Sequence, residues 1–303
     1  MSISLHFTGI ADVYKFFNLD QPLKHPLVAV IDFSDVDEQV AEDTRISGDY
    51  YCLLFKRYDG NNVKYGRKVV DFNNGSLMCI APNQVLEMET DIGAYTEKEG
   101  WGVFFHPDLI RNTSLQQKMK DYSFFSYEVS EALHMSEKEK QIFYDCVQKL
   151  DGELRENIDG HSQAIIVSNI ELLLNYCSRF YGRQFITRKS VNSSVVVQVE
   201  KILSDYFGKG KLQEQGLPTV KSLAYQVNLS PGYLSDLLKR ETGKNAQDHI
   251  HYFLIEEAKT ILISTDKPVG EIAYLLGFEY PQYFNKLFKQ KTGKTPLEFR
   301  NMN

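Results

Sequence analysis

The sequence predicts two domains: a β-rich N-terminal domain that ends in a helical hairpin, and an all-α C-terminal domain with two helix-turn-helix units. Three observations predict this. Short β-branched and aromatic runs separated by turn residues occupy roughly residues 27–105, the pattern of a small barrel or sandwich. From Ser136 the apolar residues take helical spacing. A block near the C-terminus then occurs twice, at an offset of 49–50 residues. A chain of 303 residues accommodates two domains of about 100–200 residues each.

In chain order, Leu27 to Phe33 is a β-branched run, and Asp49 to Arg57 and Lys64 to Phe72 are further candidate strands. Asn73-Asn74-Gly75 is a turn signal before Ser76 to Ile80, and Gly100 to Phe105 is the last short apolar run. Ser136-Glu137-Lys138-Glu139 fits a capping box, with Ser136 as N-cap. Ile142, Phe143, Cys146, Val147 and Leu150 follow on one helix face. After Gly160 a second helix runs from about Ser162 to Tyr181, and two helices joined this closely lie antiparallel. Leu172, Leu173 and Leu174 are consecutive in it, more than one apolar stripe requires, so Leu172 and Leu174 are candidates for a dimer interface. Residues 183–194 are polar and without period, which predicts a linker. The expected domains are therefore 1–182, with strands to about 110 and helices over about 136–182, and 195–303.

The C-terminal domain opens with a helix from Val195 to Phe207, closed by Gly208 and Gly210, and Gln213 to Pro218 is a loop. The repeat follows. Ala224 and Tyr225 match Ala273 and Tyr274 at an offset of 49, while Pro231, Tyr233, Leu237, Lys239, Thr242, Gly243 and Lys244 match Pro281, Tyr283, Leu287, Lys289, Thr292, Gly293 and Lys294 at an offset of 50. The second copy has one more residue in its turn. Each copy has a small residue in its first helix, Asn228 or Gly277 available for a positive φ, proline at the start of the second helix and glycine after its end. Two helices joined in this way are a DNA-reading motif whose second helix enters the major groove.

The outer faces of the second helices supply the candidate DNA contacts. Gln282, Asn285, Lys286 and Lys289 lie at i, i+3, i+4 and i+7, opposite an apolar stripe of Tyr283, Phe284, Leu287 and Phe288. Amides pair with adenine edges, and lysine with guanine or phosphate. The first copy packs Tyr233, Leu234, Leu237 and Leu238 and presents Gly232, Ser235, Asp236 and Lys239. A single such helix is equally well an ordinary amphipathic surface helix; the matched duplication is what favours DNA reading. Between the copies a helix from about Ala246 to Ser264, near 28 Å at ~1.5 Å per residue, suits two heads on neighbouring major-groove segments that repeat at roughly 34 Å.

Composition excludes little but excludes it cleanly. Hydrophobic residues make up 43% and charged residues 24%, an ordinary globular balance. Cys52, Cys79, Cys146 and Cys177 form no C-x-x-C pair, so free thiols in a reducing cytoplasm are expected rather than zinc or a disulfide framework. Met1-Ser2-Ile3-Ser4 begins no signal-peptide pattern, and no run approaches the ~18–20 apolar residues of a membrane span. The net charge is −6, yet residues 191–303 carry 14 Lys and Arg against 12 Asp and Glu. That asymmetry permits a DNA-binding C-terminal half without demanding one.

Residues 195–299 resemble the AraC/XylS family of transcription regulators. The most specific pieces are Ile272-Ala273, Gly277-Phe278, Tyr283-Phe284-Asn285-Lys286-Leu287-Phe288-Lys289, Thr292-Gly293 and Thr295-Pro296-Leu297-Glu298-Phe299. The resemblance implies seven helices with two helix-turn-helix units joined by one long helix. It also implies an N-terminal sensor or dimerisation domain, in many members a cupin-like β-barrel followed by helices. Gly100 to Pro107 resembles a segment near the end of that barrel. The expected partners are double-stranded DNA, a small-molecule effector, a second copy of the chain and, for an activator, RNA polymerase. Members often carry arginine where Leu254 stands, and Asp236 on the first reading face makes the two heads unequal.

Two other functions compete. A cupin-type enzyme would hold a metal, but His6, His25 and His106 are scattered, and His249 and His251 point to different sides of one helix. No catalytic residues, metal or cofactor are therefore assigned. Trp101 is a candidate pocket residue, with core packing as its alternative. The second competitor is an adaptor that has lost DNA binding, which the mild charge of the C-terminal half leaves open.

Overall fold

The computed structural model describes residues 3–19, 21–36, 44–58, 63–65, 68–70, 75–89, 98–208, 212 and 215–302. The chain divides into two compact units, Met1–Thr187 and Arg188–Asn303.

The first unit has strands β1 (Ile3–Phe7), β2 (Val28–Asp32), β3 (Thr44–Gly48), β4 (Tyr51–Tyr58), β5 (Val63–Tyr65), β6 (Lys68–Val70), β7 (Ser76–Ile80), β8 (Leu86–Glu89), β9 (Lys98–Phe105) and β10 (Leu133–His134), with helix α1 (Ile10–Phe16) after the first strand. They form two five-stranded sheets, ordered β1-β3-β8-β5-β6 and β10-β7-β4-β9-β2. Among the described residues neither sheet closes into a barrel. The predicted strand from Lys64 to Phe72 is instead two strands, in which Tyr65 pairs with Lys68 across an antiparallel ladder. Asn73 and Asn74 lie outside the described residues; Gly75 has φ +76°.

The second sheet is buried on both faces, which explains its nearly continuous apolar runs. Along β4, Cys52 and Leu54 join Ile31, Met78, Ile80 and Phe104 in a core against the first sheet. The alternate residue Phe55 stacks on Trp101, and Trp101 stacks on Phe143 at 4.9 Å. Phe143 belongs to α3 (Glu137–Arg155), which with α4 (Ser162–Thr187) covers that face; between β9 and α3 lie short helical turns, including α2 (Ser114–Lys118). Ser136 caps α3 in a complete capping box with Glu139. Arg183, near the end of α4, donates to Glu139 at the start of α3 at 2.7–3.0 Å, so the two helices are antiparallel. Trp101 is thus a core residue beneath α3.

Two expectations need correction here. The stretch 183–194 is not an irregular linker: its first residues complete α4, and α5 begins at Lys189. α4 outruns its apolar period because polar Gln184, 2% exposed, accepts from the His134 backbone N–H at 2.8 Å and donates to the Ala132 carbonyl at 3.2 Å. Leu174 is fully buried whereas Leu172 is 39% exposed. Leu174 is therefore intramolecular core and does not line a free face.

The second unit contains α5 (Lys189–Gly208), α6 (Val220–Gln226), α7 (Pro231–Thr242), α8 (Ala246–Ser264), α9 (Val269–Leu275), α10 (Pro281–Thr292) and α11 (Pro296–Arg300). α8 is the central strut. Its buried face includes Ile250, Leu254, Ala258 and Leu262, so Leu254 packs inside the unit. α5 starts six residues before the predicted Val195 and packs on α7 and α8.

Candidate nucleic-acid interface

The two helix-turn-helix units are α6–α7 and α9–α10, and the same backbone device builds both turns. In the first, Asn228 sits at φ +56°, and the Leu229 N–H returns to the Ala224 carbonyl at 3.0 Å. In the second, Gly277 sits at φ +83°, and the Phe278 N–H returns to the Ala273 carbonyl at the same 3.0 Å. A left-handed residue with this backward hydrogen bond satisfies carbonyls that the ending helix leaves open. Gly277 carries a second constraint. A Cβ there would lie 3.2 Å from the Leu217 backbone nitrogen, so the turn itself is packed closely.

The extra residue of the second turn falls just before α10. Ser230 caps α7 by accepting from the Tyr233 N–H, while Tyr280 stands at the start of α10 with no side-chain cap. Both helices have proline in their first turn and end on a left-handed glycine, Gly243 at φ +77° and Gly293 at φ +78°. Thr242 and Thr292 close each end alike, donating to Leu238 and Phe288 carbonyls at 2.8 and 2.7 Å. The next helices are capped by Asn245 and Thr295. The repeat therefore extends past the two units into the start of α8 and α11.

The outer faces differ. Gln282, Asn285, Lys286 and Lys289 are all exposed on α10, one turn above another along a single face. Among the described residues Lys286 and Lys289 make no salt bridge. On α7, Lys239 is exposed, Gly232 and Ser235 are half-buried, and Asp236 is half-buried and engaged in an interaction inside the protein. Arg240, exposed beside Lys239 in the last turn of α7, is a cation that face-by-face reading passed over.

Tyr283 departs from the expected apolar stripe. Phe284 and Phe288 are fully buried, but Tyr283 is 60% exposed, whereas its counterpart Tyr233 is 4% exposed. α5 packs on α7 and thickens the first unit; α10 packs instead on α9 and the short α11. The Tyr283 ring meets Tyr280 edge-on at 5.8 Å, leaving two aromatic side chains at the N-terminal end of α10.

The second unit is braced against α8 at both ends. Lys291 of α10 pairs with Asp248 at 2.7 Å, and this ammonium holds the Asp248 carboxyl below its ordinary range. Arg300 of α11 donates to the Leu262 and Lys267 carbonyls at 3.0 and 2.7 Å, filling acceptors at and beyond the C-terminal turn of α8. Neither brace was read from the sequence, because each depends on partners 33–43 residues away.

The five histidines weighed as metal ligands are each engaged in a hydrogen bond. His6 bonds Ser47, and His25 and His106 accept local backbone N–H groups. His249 and His251 are matched to Thr242 and Gln247 at 2.8 Å each. Among the described residues no His, Cys, Asp and Glu group suits a metal ion, all four cysteines are buried free thiols, and no helix is long and apolar enough to cross a membrane.

Residues 223–302 match the family model described as a helix-turn-helix domain. Two curated relatives are similar over the same part of the chain. The bifunctional transcriptional activator and DNA repair enzyme AdaA of Bacillus subtilis is 33% identical over 102 residues, 34% of this chain and 47% of that protein. The xylose operon regulatory protein of Escherichia coli is 29% identical over 125 residues, 41% of this chain and 30% of that protein. The matches thus span half or less of either relative. Among solved structures, the C-terminal domain of AraT, a response regulator from Geobacillus stearothermophilus, is 29% identical, covering 36% of this chain and 85% of that one with a TM-score of 0.31.

Proposed function

We propose that this chain, which carries an AraC/XylS-type helix-turn-helix DNA-binding domain at its C-terminus, is a cytoplasmic transcription regulator that reads adjacent major-groove segments of double-stranded DNA. The observation that carries the reading is the pair of matched units on one 19-residue strut. Each unit has the same positive-φ turn and the same glycine stop. Gln282, Asn285, Lys286 and Lys289 contact bases and phosphates from the second unit, and Gly232, Ser235, Asp236 and Lys239 from the first. In this reading the N-terminal residues 1–182 form a sensor and dimerisation domain of cupin-like architecture, which binds a small effector and performs no catalysis. The chain acts as a homodimer, with the exposed side of α4 around Leu172 at the interface, and an activating role adds RNA polymerase as a partner.

The test is a gel shift against DNA recovered from cells with the bound protein. Phosphate contacts release counterions, so affinity must fall steeply between low and physiological salt. A complex whose affinity stays flat across that range, or no complex at all, overturns the proposal and leaves the adaptor reading. Replacing Leu172 with Glu should give folded monomers; an unchanged dimer removes α4 from the interface.

A further inference from the structure

We propose that Tyr280 and Tyr283, side by side at the N-terminal end of α10, read the C5-methyl group of thymine in the major groove and so give the second helix-turn-helix unit a preference for thymine. The inference rests on the DNA-reading role proposed above and adds to it two residues that set base preference.

The two helix-turn-helix units diverge most sharply here. In the first, Ser230 caps α7 and is buried, and Tyr233 is core. At the matching positions of the second stand Tyr280 and Tyr283, 53% and 60% exposed. Tyr280 occupies the N-cap position yet its side chain caps nothing; only its backbone carbonyl takes part in starting the helix, accepting from the Tyr283 N–H at 3.0 Å. The helix thus forgoes the side-chain hydrogen bond that serine, threonine, aspartate or asparagine would supply.

Core packing does not account for the exchange either. The rings meet edge-on at 5.8 Å, and each keeps more than half of its surface in solvent. A position that breaks a local rule without a gain in packing is where function is expected. The pair is also continuous with the reading face. Tyr283 lies about 60° around the helix from Lys286, at ~100° per residue, and so borders the face of Gln282, Asn285, Lys286 and Lys289. That continuity favours DNA over a protein as the occupant.

The chemistry of the groove selects the thymine methyl. The N-terminal residues of a reading helix are the ones set against base edges. Those edges carry hydrogen-bonding atoms and one apolar group, the C5-methyl of thymine, which apolar and aromatic side chains contact. A tyrosine ring offers a broad apolar body on few rotatable bonds. The exposed carboxylate of Glu279 stands next to Tyr280 and is repelled by phosphate, which disfavours a role for this end on the DNA backbone.

DNA recovered from cells with the bound protein should be resynthesised with deoxyuridine for thymidine, one site at a time, which removes the methyl and keeps every hydrogen-bonding atom. Gel shifts with the full-length protein should find at least one thymine, confined to a single half-site, whose replacement weakens binding roughly fourfold, equivalent to ~0.8 kcal/mol, the worth of one buried carbon. Tyr280→Ser, which installs the residue of the first unit, and Tyr283→Ala each reduce that preference, and together they abolish it. Tyr280→Phe and Tyr283→Phe keep it. Melting curves confirm that each variant is folded. Indifference of the parent to uracil at every thymine overturns the inference without reference to any variant. A preference that survives the Tyr280→Ser, Tyr283→Ala double substitution overturns it too, and one lost in the phenylalanine variants assigns the contact to a hydroxyl and overturns the methyl reading. No salt-sensitive complex with any of these DNAs removes the regulator reading and this one with it, whereas a salt-sensitive complex indifferent to uracil removes only this one.

Discussion

The two helix-turn-helix units share a backbone and differ in what they show to solvent. Asn228 and Gly277 make the same turn, and Gly243 and Gly293 the same stop. Yet Tyr233 is core while Tyr283 is exposed, and a half-buried Asp236 stands where the second unit has exposed Lys286. The difference teaches that the duplicated residues divide into two sets. One set holds the chain in shape and is bound to repeat. The other faces outward, where packing imposes nothing, and is free to differ between the two units.

The division is broken or sharpened most strongly by adjacent substitutions in α10. Phe284 is fully buried between Phe278 and Phe288, so Phe284→Ala should destabilise the second unit by about 3–5 kcal/mol. Tyr283→Ala, one residue earlier and 60% exposed, should stay within about 0.5 kcal/mol of the parent while weakening the DNA complex. Thermal melting and gel shifts on both variants decide this. A Tyr283→Ala protein that melts far below the parent would return that ring to the core and undo the contrast with Tyr233.

Next in size is the inequality of the heads. Losing a bidentate base contact costs about 1–3 kcal/mol, so Asn285→Ala should lose about tenfold or more in specific affinity. Asp236→Ala should leave affinity equal or higher and relax a cytosine preference in the first half-site. Its half-burial and internal engagement also support a structural role, in which case the variant melts earlier with base preference intact. Binding to a panel of single-base operator changes separates these outcomes. Parent-like binding by Asn285→Ala together with lost binding by Asp236→Ala would reverse the hierarchy.

What the sequence displayed and what it hid follow the same physics. The repeat, the caps and the strut were legible because they depend on local rules: proline at a helix start, glycine after its end, a period of 3.6. Strands β2, β4, β7 and β9 were legible because both faces of their sheet are buried, which writes continuous apolar runs. β3 (Thr-Arg-Ile-Ser-Gly) and β8 (Leu-Glu-Met-Glu) were not, since short polar strands gain their identity from pairing with distant residues. The helical nature of 183–194 was hidden for a related reason. Gln184 reads as solvent-facing until β10 supplies its two backbone partners. Trp101 was placed between two readings that only the stacking on Phe55 and Phe143 could separate.

A smaller effect tests whether the exposed lysines act on phosphate. Each phosphate contact removed should reduce the salt slope of binding by about 1. Lys286→Ala and Lys289→Ala should each show this, with weakening nearly uniform across operator sequences. Lys239→Ala should do the same from the first head. A lysine whose loss changes base preference but not the salt slope is reading a base edge, which would sharpen the assignment at that position.

The smallest expected effect concerns a lysine that belongs to the shape-holding set although it is charged. Lys291 lies on α10 two residues beyond Lys289 but points to Asp248 of α8. Both side chains are about one-third exposed, 33% and 36%, so solvent screening limits the pair to about 0.2–1 kcal/mol. The hydrogen bond from Lys291 is the chief reason that the Asp248 carboxyl titrates below its usual 3.8. A group whose folded pKa is depressed contributes stability that is fully present above its unfolded pKa and is lost as pH falls through the folded value. Lys291→Met should therefore melt slightly below the parent near neutral pH, by a margin that shrinks with added salt, begins to fall below about pH 4 and vanishes once the pH is below the depressed folded value. Its DNA affinity and salt slope should match the parent. A Lys291→Met protein that melts like the parent but loses one unit of salt slope would place Lys291 on the DNA side, and the line between holding and reading residues would then have to be drawn beyond the end of α10.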